Sequence, residues 1–192
     1  MPDKTRCWWC GADPLYIDYH DKEWGVPLHD DQKLFEMLLL EGFQAGLSWI
    51  TILRKRENFR KAFRDFDPEV IAKFGKRDIE RLMNDEGIVR NRLKVEGSVL
   101  NAKACLTLQQ EGQTFDSFLW QFTGGKTLRA PSLTREQIQP KTLESDRMSK
   151  ELLRRGFKFV GSTICYAFMQ ATGMVDDHIE GCWKYRKQSL PG

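Results

Sequence analysis

Apolar residues recur three and four positions apart in block after block of this chain, a period that admits helices and little else. Asp30 and Asp31 precede Leu34, Phe35, Leu38 and Leu39, which predicts a capped helix with one apolar face. Asp67-Pro68 reads as an N-cap followed by proline at the first helical position, with Val70, Ile71 and Phe74 inward. Asp78 opens a short helix through Ile79, Leu82 and Met83 that stops near Gly87. Residues 89–111 carry Val89, Leu93, Val99, Leu100, Ala104 and Leu108, a long amphipathic pattern ended by Gly112. Ser145 is placed to cap a helix through Met148, Leu152 and Leu153, closed by Gly156. A further helix is expected from Ser162 to about Gly173. Gly124, Gly125, Pro131 and Pro140 mark residues 124–142 as the main loop. Strand signals are thin, and the expected class is all-α.

The chain has 192 residues, of which 41% are hydrophobic and 30% charged, a composition that folds. Its 30 basic against 27 acidic residues leave +3, which permits a nucleic-acid partner without demanding one. The apolar stretches Leu34–Leu53 and Phe157–Val175 are broken by Glu36, Glu41, Gln44, Ser162 and Gln170, so neither reads as a membrane span. The polar start, from Met1 to Arg6, leads into no signal-peptide core. The expectation is a soluble cytoplasmic protein with no membrane partner, read as a monomer. Five cysteines, an odd count, argue against a disulfide framework and for metal binding by a clustered subset.

That subset lies at the two ends. Residues 7–24 and 178–185 are both dense in Cys, His, Trp and Tyr, and regions of such shared composition can meet in the fold. His178 and Cys182 are four apart, on one helix face or one turn. Cys7 and Cys10 have a common zinc half-site spacing. Spacing alone selects Cys7, Cys10, His178 and Cys182, with His20 spare. Four protein ligands would close the coordination sphere, so one structural zinc per chain is expected, joining the N- and C-terminal segments. Cys105 and Cys165 lie in apolar helical patterns and read as core.

Glu41 falls at i+7 from Leu34 and i+3 from Leu38, on the apolar face of its helix; Glu36 does not, and reads as an exposed charge. A carboxylate in an apolar setting is unfavourable unless paired, which makes Glu41 a candidate for recognition or catalysis. The alternative is that the helix ends at Gly42 and Glu41 points to water. Trp9, Tyr16, Tyr19, Trp24 and Trp49 could supply flat faces for a planar ligand, or simply pack. The connection from Phe157 to Thr163 exposes backbone N–H groups ahead of a helix N-terminus, where Lys158, Gly161, Ser162 and Thr163 could hold a phosphate. Arg147, Lys150, Arg154 and Arg155 precede it on a basic helix.

Longer motifs sharpen these options. Asp13-Pro14-Leu15-Tyr16, Tyr19-His20-Asp21, Glu23-Trp24-Gly25-Val26-Pro27, Leu40-Glu41-Gly42, Gln44-Ala45-Gly46-Leu47-Ser48-Trp49, Gly156-Phe157-Lys158-Phe159-Val160-Gly161 and Asp177-His178 closely resemble the bacterial DNA-3-methyladenine glycosylase I family. The match runs over roughly residues 5 to 185. The resemblance implies an all-α helix-hairpin-helix glycosylase fold with the helix-hairpin-helix at about 145–173. It implies a single catalytic unit over 1–192: a mainly helical bundle with the pocket at 30–142, and zinc-tied terminal segments at 1–29 and 143–192. The implied activity is monofunctional excision of 3-methyladenine from double-stranded alkylated DNA, with free 3-methyladenine as product. Glu41 corresponds to the working carboxylate, Tyr19 and Trp49 to its partners in base recognition, and Tyr16, Trp9 and Trp24 to the pocket lining. Leu47 resembles the family's wedge into the duplex, and residues 158–163 its backbone anchor. The implied zinc ligands are Cys7, His20, His178 and Cys182, which replaces Cys10 by His20, and this set is the one adopted. Many wider relatives use an aspartate after the hairpin, where Asp176 and Asp177 stand here. A zinc-stabilised nucleic-acid-binding module without chemistry is the competing class. A bifunctional lyase would need a pocket lysine, and residues 41–49 contain none.

Overall fold

The computed structural model describes residues 4–129 and 134–185. Pro131 of the expected loop lies outside the described residues. Nine α-helices occur among those residues: α1 Pro14–Lys22, α2 Asp31–Gln44, α3 Trp49–Ala62, α4 Pro68–Ile71, α5 Lys76–Met83, α6 Arg92–Gln110, α7 Phe115–Trp120, α8 Leu143–Arg154 and α9 Ser162–Ala171. The described strands are β1 Leu128–Arg129 and β2 Val175–Asp176, a parallel pair that joins the chain after α7 to the chain after α9.

Local chemistry explains most helix starts. Asp13, Asp30, Asp67, Asn91 and Thr114 each accept a backbone N–H from the first turn of the following helix. Pro14 and Pro68 occupy first-turn positions, where their missing N–H costs nothing. Two expected starts move. The N-cap of α8 is Thr142, and Ser145 is the fourth member of a capping box with it. The N-cap of α5 is Gly75, and Asp78 reaches back to its N–H at 3.1 Å. The helices α1, α3 and α7 fall outside the elements that the sequence predicts. Asp31 also caps at long range, accepting from the N–H groups of Phe115 and Asp116 at 3.1 and 2.8 Å.

The centre is aromatic, with Phe35, Phe43, Phe59, Phe63, Phe66, Phe115, Phe118, Phe157 and Phe168 all fully buried. Helix α2 runs through it, packed on α3, α6, α7 and α9. Every residue from Leu34 to Phe43 is buried, so this helix has no solvent face in that stretch. The expectation that Glu36 is exposed is therefore corrected: it is 8% exposed. Arg60 of α3 holds it, at 2.8–2.9 Å.

The chain after α9 lies against the chain after α1. The N–H groups of Gly25 and Leu28 each donate at 3.0 Å to the carbonyls of Gln170 and Thr172. Gly173, at φ +71°, sits so close that a Cβ would stand 2.3 Å from the carbonyl carbon of Val26 and 2.4 Å from the nitrogen of Pro27. Gly112 shares the left-handed conformation at φ +82° but faces open space. Gly112→Ala should therefore lower the unfolding free energy by about 1 kcal/mol. Gly173→Ala should lower it by more than about 2 kcal/mol, because backbone must also move. Urea unfolding of both variants tests the difference.

Candidate active site

Helix α2 delivers Glu41 to the floor of a cavity of about 210 Å³. Its neighbours there are Trp9, Tyr16, Tyr19, Trp24 and Trp49, the whole aromatic set singled out in the sequence. Tyr16 and Tyr19 come from α1, Trp49 opens α3, and Trp9 lies in a short 3-10 turn before α1. The rings interlock: Trp9 is 5.0 Å from Tyr16 and 4.9 Å from Trp24, and Tyr19 is 5.6 Å from Trp49, centroid to centroid. The helix does not end at Gly42, and Glu41 points inward at 4% exposure.

The polar inventory of this cavity is unbalanced. Glu41 Oε2 and Trp49 Nε1 are buried and have no hydrogen-bond partner. Burial alone pushes the Glu41 carboxyl up to about 8. Burial also raises the Tyr19 hydroxyl, and the nearby Glu41 adds to the shift. Cations would suit such a site: an incoming positive charge would relieve the desolvation of the carboxylate and lie against electron-rich ring faces.

Sequence reasoning missed five lining residues: Trp8, Gln44, Ile138, Ala167 and Gln170. In the sequence Gln170 stands only as a break in an apolar stretch, and that polar interruption is its available signal. Its Nε2 donates to Asp177 at 2.6 Å, beside the Tyr166 hydroxyl at 2.5 Å. Asp176 binds Arg129 at 2.9 Å and the His178 ring at 2.7 Å. Both aspartates after the α8–α9 turn are thus committed, and neither lines the cavity.

Behind the aromatic wall, segments from the first and last parts of the chain meet. The ligating atoms of Cys7, His20 and Cys182 lie within 4.8 Å of one another, a group that could hold a metal ion. His178 falls outside that limit, yet its ring is 5.1 Å from His20 and its Nε2 is buried without a partner. Cys10 is buried but not among the three. The Nδ1 of His20 pairs with Asp21 at 2.8 Å and that of His178 with Asp176 at 2.7 Å, the carboxylate support typical of metal-binding histidines. The Cys182 thiol is pulled down, first by its hydrogen bond with Cys7 and then by His20, so the pair favours a thiolate.

The residues expected to touch DNA lie at the surface. Leu47, 42% exposed, tips the short link between α2 and α3. Lys158, Gly161 and Thr163 are exposed at the tight α8–α9 connection. Ser162 is half-buried beside Asp146, and its hydroxyl helps hold that carboxyl below its ordinary range. Of the basic helix, Arg154 pairs with Glu151, and Arg155 with Glu151 and Glu111.

Aromatic faces around a buried, unpartnered carboxyl suit a planar cationic group. The methyladenine glycosylase family matches residues 9–185, so the chain belongs to that family. It is 52% identical over 180 residues to DNA-3-methyladenine glycosylase 1 of Escherichia coli (strain K12), covering 94% of this chain and 96% of that one. A crystal structure of 3-methyladenine DNA glycosylase I is 51% identical with a TM-score of 0.93, over 95% of this chain and 100% of that one. Another, a substituted 3-methyladenine DNA glycosylase I in complex with 3-methyladenine, is 37% identical with a TM-score of 0.90, over 95% of this chain and 99% of that one.

The position of Glu41 has a thermodynamic consequence. Its carboxyl is raised from an ordinary 4.5 to about 8, so between these values the folded state binds more protons than the unfolded one. Stability must then fall as pH rises through that window. Glu41→Gln removes the effect. From pH 5 to pH 8 the variant should gain on the wild type by up to about 4 kcal/mol in paired urea titrations.

Proposed function

We propose that this protein is a monofunctional DNA glycosylase that flips 3-methyladenine out of double-stranded alkylated DNA and hydrolyses its N-glycosidic bond. The observation that carries this reading is the unpartnered Glu41 carboxyl inside an aromatic cavity. A base within a duplex is out of reach, so the nucleotide must leave the stack. Unstacking costs a few kcal/mol, and stacking on an aromatic face returns about 1–3 kcal/mol per base. Trp9, Tyr16, Tyr19, Trp24 and Trp49 line the cavity that would receive it.

N3-alkylation makes the attached adenine cationic and already a good leaving group, so a strong general acid is unnecessary. Glu41 acts mainly by recognising that cation and stabilising positive charge as it develops on the sugar, with water activation secondary. Neutral adenine offers no charge to offset the desolvated carboxylate, which is the basis of selection. No lysine lines the cavity among the described residues, which disfavours a lyase step through an amine. Leu47 fills the gap left by the flipped nucleotide. Lys158, Gly161, Ser162 and Thr163 hold the DNA backbone in a helix-hairpin-helix joint formed by α8 and α9. The whole chain forms one catalytic unit, acting as a monomer in the cytoplasm.

Cys7, His20, His178 and Cys182 are the residues that would hold one structural zinc. The donor set suits it: a thiolate-forming cysteine pair, two carboxylate-backed histidines, and an orphaned His178 Nε2. With four protein ligands, zinc would supply a cross-link between the chain ends and no catalytic position.

Release of free base from methylated duplex DNA tests the activity. Glu41→Gln should fold normally and excise roughly tenfold to a hundredfold more slowly, equivalent to about 1.4–2.8 kcal/mol of transition-state stabilisation. Wild-type activity should rise with pH toward about 8 as the carboxylate forms, and the variant should lack that rise. Wild-type rates from the variant would remove Glu41 from the mechanism. For the metal, elemental analysis should return about one zinc per chain. Cys7→Ser should lose metal and thermal stability while Cys10→Ser keeps both; the reverse pattern would place Cys10 in the ligand set.

A further inference from the structure

Among the described buried charges that the mechanism does not use, Lys94 has no ionic partner. Lys94, on α6, is 8% exposed, and no carboxylate pairs with it among the described residues. Its Nζ donates instead to two carbonyls, those of Phe43 at 2.9 Å and Ala45 at 2.8 Å. Both acceptors stand at the C-terminal end of α2, where carbonyls lack helical partners and the helix dipole is negative. The chain then turns within three residues. Leu47 N–H closes the turn on the Gln44 carbonyl at 2.6 Å, Gly46 adopts φ +86°, and α3 begins at Trp49. Leu47 is therefore displayed between the element that carries Glu41 and the one that starts with Trp49.

The same helix grips the other surface connection. Asn101 is seven residues further on, about 10 Å along the axis of α6. Its Nδ2 donates to the Lys158 carbonyl at 3.1 Å, and its Oδ1 accepts the Lys158 N–H at 2.6 Å. Between them is Gly97, where a Cβ would fall 2.8 Å from the Phe159 ring. Phe159 is itself held at φ +57°, unusual for a non-glycine residue. The buried polar side of α6 thus ties both connections to one rigid rod.

We propose that Lys94 is a positioning residue: it clamps the end of α2 so that the 45–48 link presents Leu47 at a fixed place relative to the cavity and to the α8–α9 joint. The inference rests on the reading that Leu47 enters the duplex. It assigns Lys94 no contact with the base.

Three chains separate the possibilities: Lys94→Met, Lys94→Arg and Leu47→Ala. Free 3-methyladenine affinity, followed by tryptophan fluorescence, reports the pocket. Single-turnover excision is compared on methylated duplex and methylated single strands, because only the duplex requires the base to be displaced from a partner strand. Lys94→Met should bind free base as the wild type does, lose about tenfold to a hundredfold on duplex, and lose much less on single strands, matching Leu47→Ala in pattern. Lys94→Arg keeps donors and charge, so it should show the same pattern with a smaller loss; it carries the test if methionine prevents folding. Equal losses on both substrates, a loss of free-base affinity, or no loss at all would overturn the role of Lys94. If Leu47→Ala excises from duplex like the wild type, the wedge reading itself fails, whatever Lys94 does.

Discussion

A carboxyl group without a partner, sunk in an apolar wall, is the constraint from which the rest of this structure follows. Water would stabilise the Glu41 carboxylate far better than the cavity does, and burial alone raises its pKa to about 8. Such a group persists only where surrounding packing holds it. Here α2 is buried on all sides from Leu34 to Phe43, so its rotation and depth are set by aromatic contacts on α3, α7 and α9. The carboxyl cannot swing to solvent without moving the core. The stability lost to the buried carboxylate is restored by protonation below about pH 8, and an entering cation would offset it above that pH.

The terminal segments complete the cavity from outside. Trp9, Tyr16, Tyr19 and Trp24 all belong to the first part of the chain, which the cluster of Cys7, His20 and Cys182 draws toward the last part. Trp24 lies 4.6 Å from the His178 ring, so the aromatic wall and the metal-type cluster share a boundary. Arg6 and Arg129 steady the carboxylates behind the two histidines. Loosening the junction of the termini would therefore disturb the ring faces before it touched Glu41. A metal bound there would cross-link a wall built from a short helix and a 3-10 turn, elements too small to hold aromatic rings at fixed angles alone.

How far the sequence is legible depends on the range of the interaction. Asp30, Asp67 and the run behind α6 act within one or two turns, and each was readable. The inward position of Glu41 followed from its spacing to Leu34 and Leu38. Glu36 failed the same logic because spacing assumes a solvent face, and α2 has none over that stretch; only the approach of Arg60 from α3 accommodates the charge. Helix α3 keeps a helical spacing at its buried Trp49, Ile52, Leu53, Phe59 and Ala62, but the Lys and Arg residues between them hide it from a reading that looks for apolar blocks. Pair spacing favoured Cys10 over His20, since it sees only neighbours in sequence. His20 reaches the cluster through the path of α1, thirteen residues beyond Cys7, and the family resemblance supplied what spacing could not. Gln170 shows in the sequence only as a polar break in an apolar stretch, because its role depends on Asp177 and on the far wall of the cavity.

In the proposed function, selecting a lesion by charge and gripping DNA by shape are separate tasks, and both would meet at α2. Its penultimate turn carries Glu41; its last carbonyls are held by Lys94; the link after it exposes Leu47. Phe159 of the α8–α9 connection presses on the same helix at Gly42, where a Cβ would come within 3.3 Å of the ring-bearing Cβ. A displacement of either surface connection is therefore transmitted to the residue beside the carboxyl through a tightly packed contact, without an intervening flexible side chain. In a site whose carboxyl has no hydrogen bond of its own to fix it, this close packing is what holds the carboxyl in place.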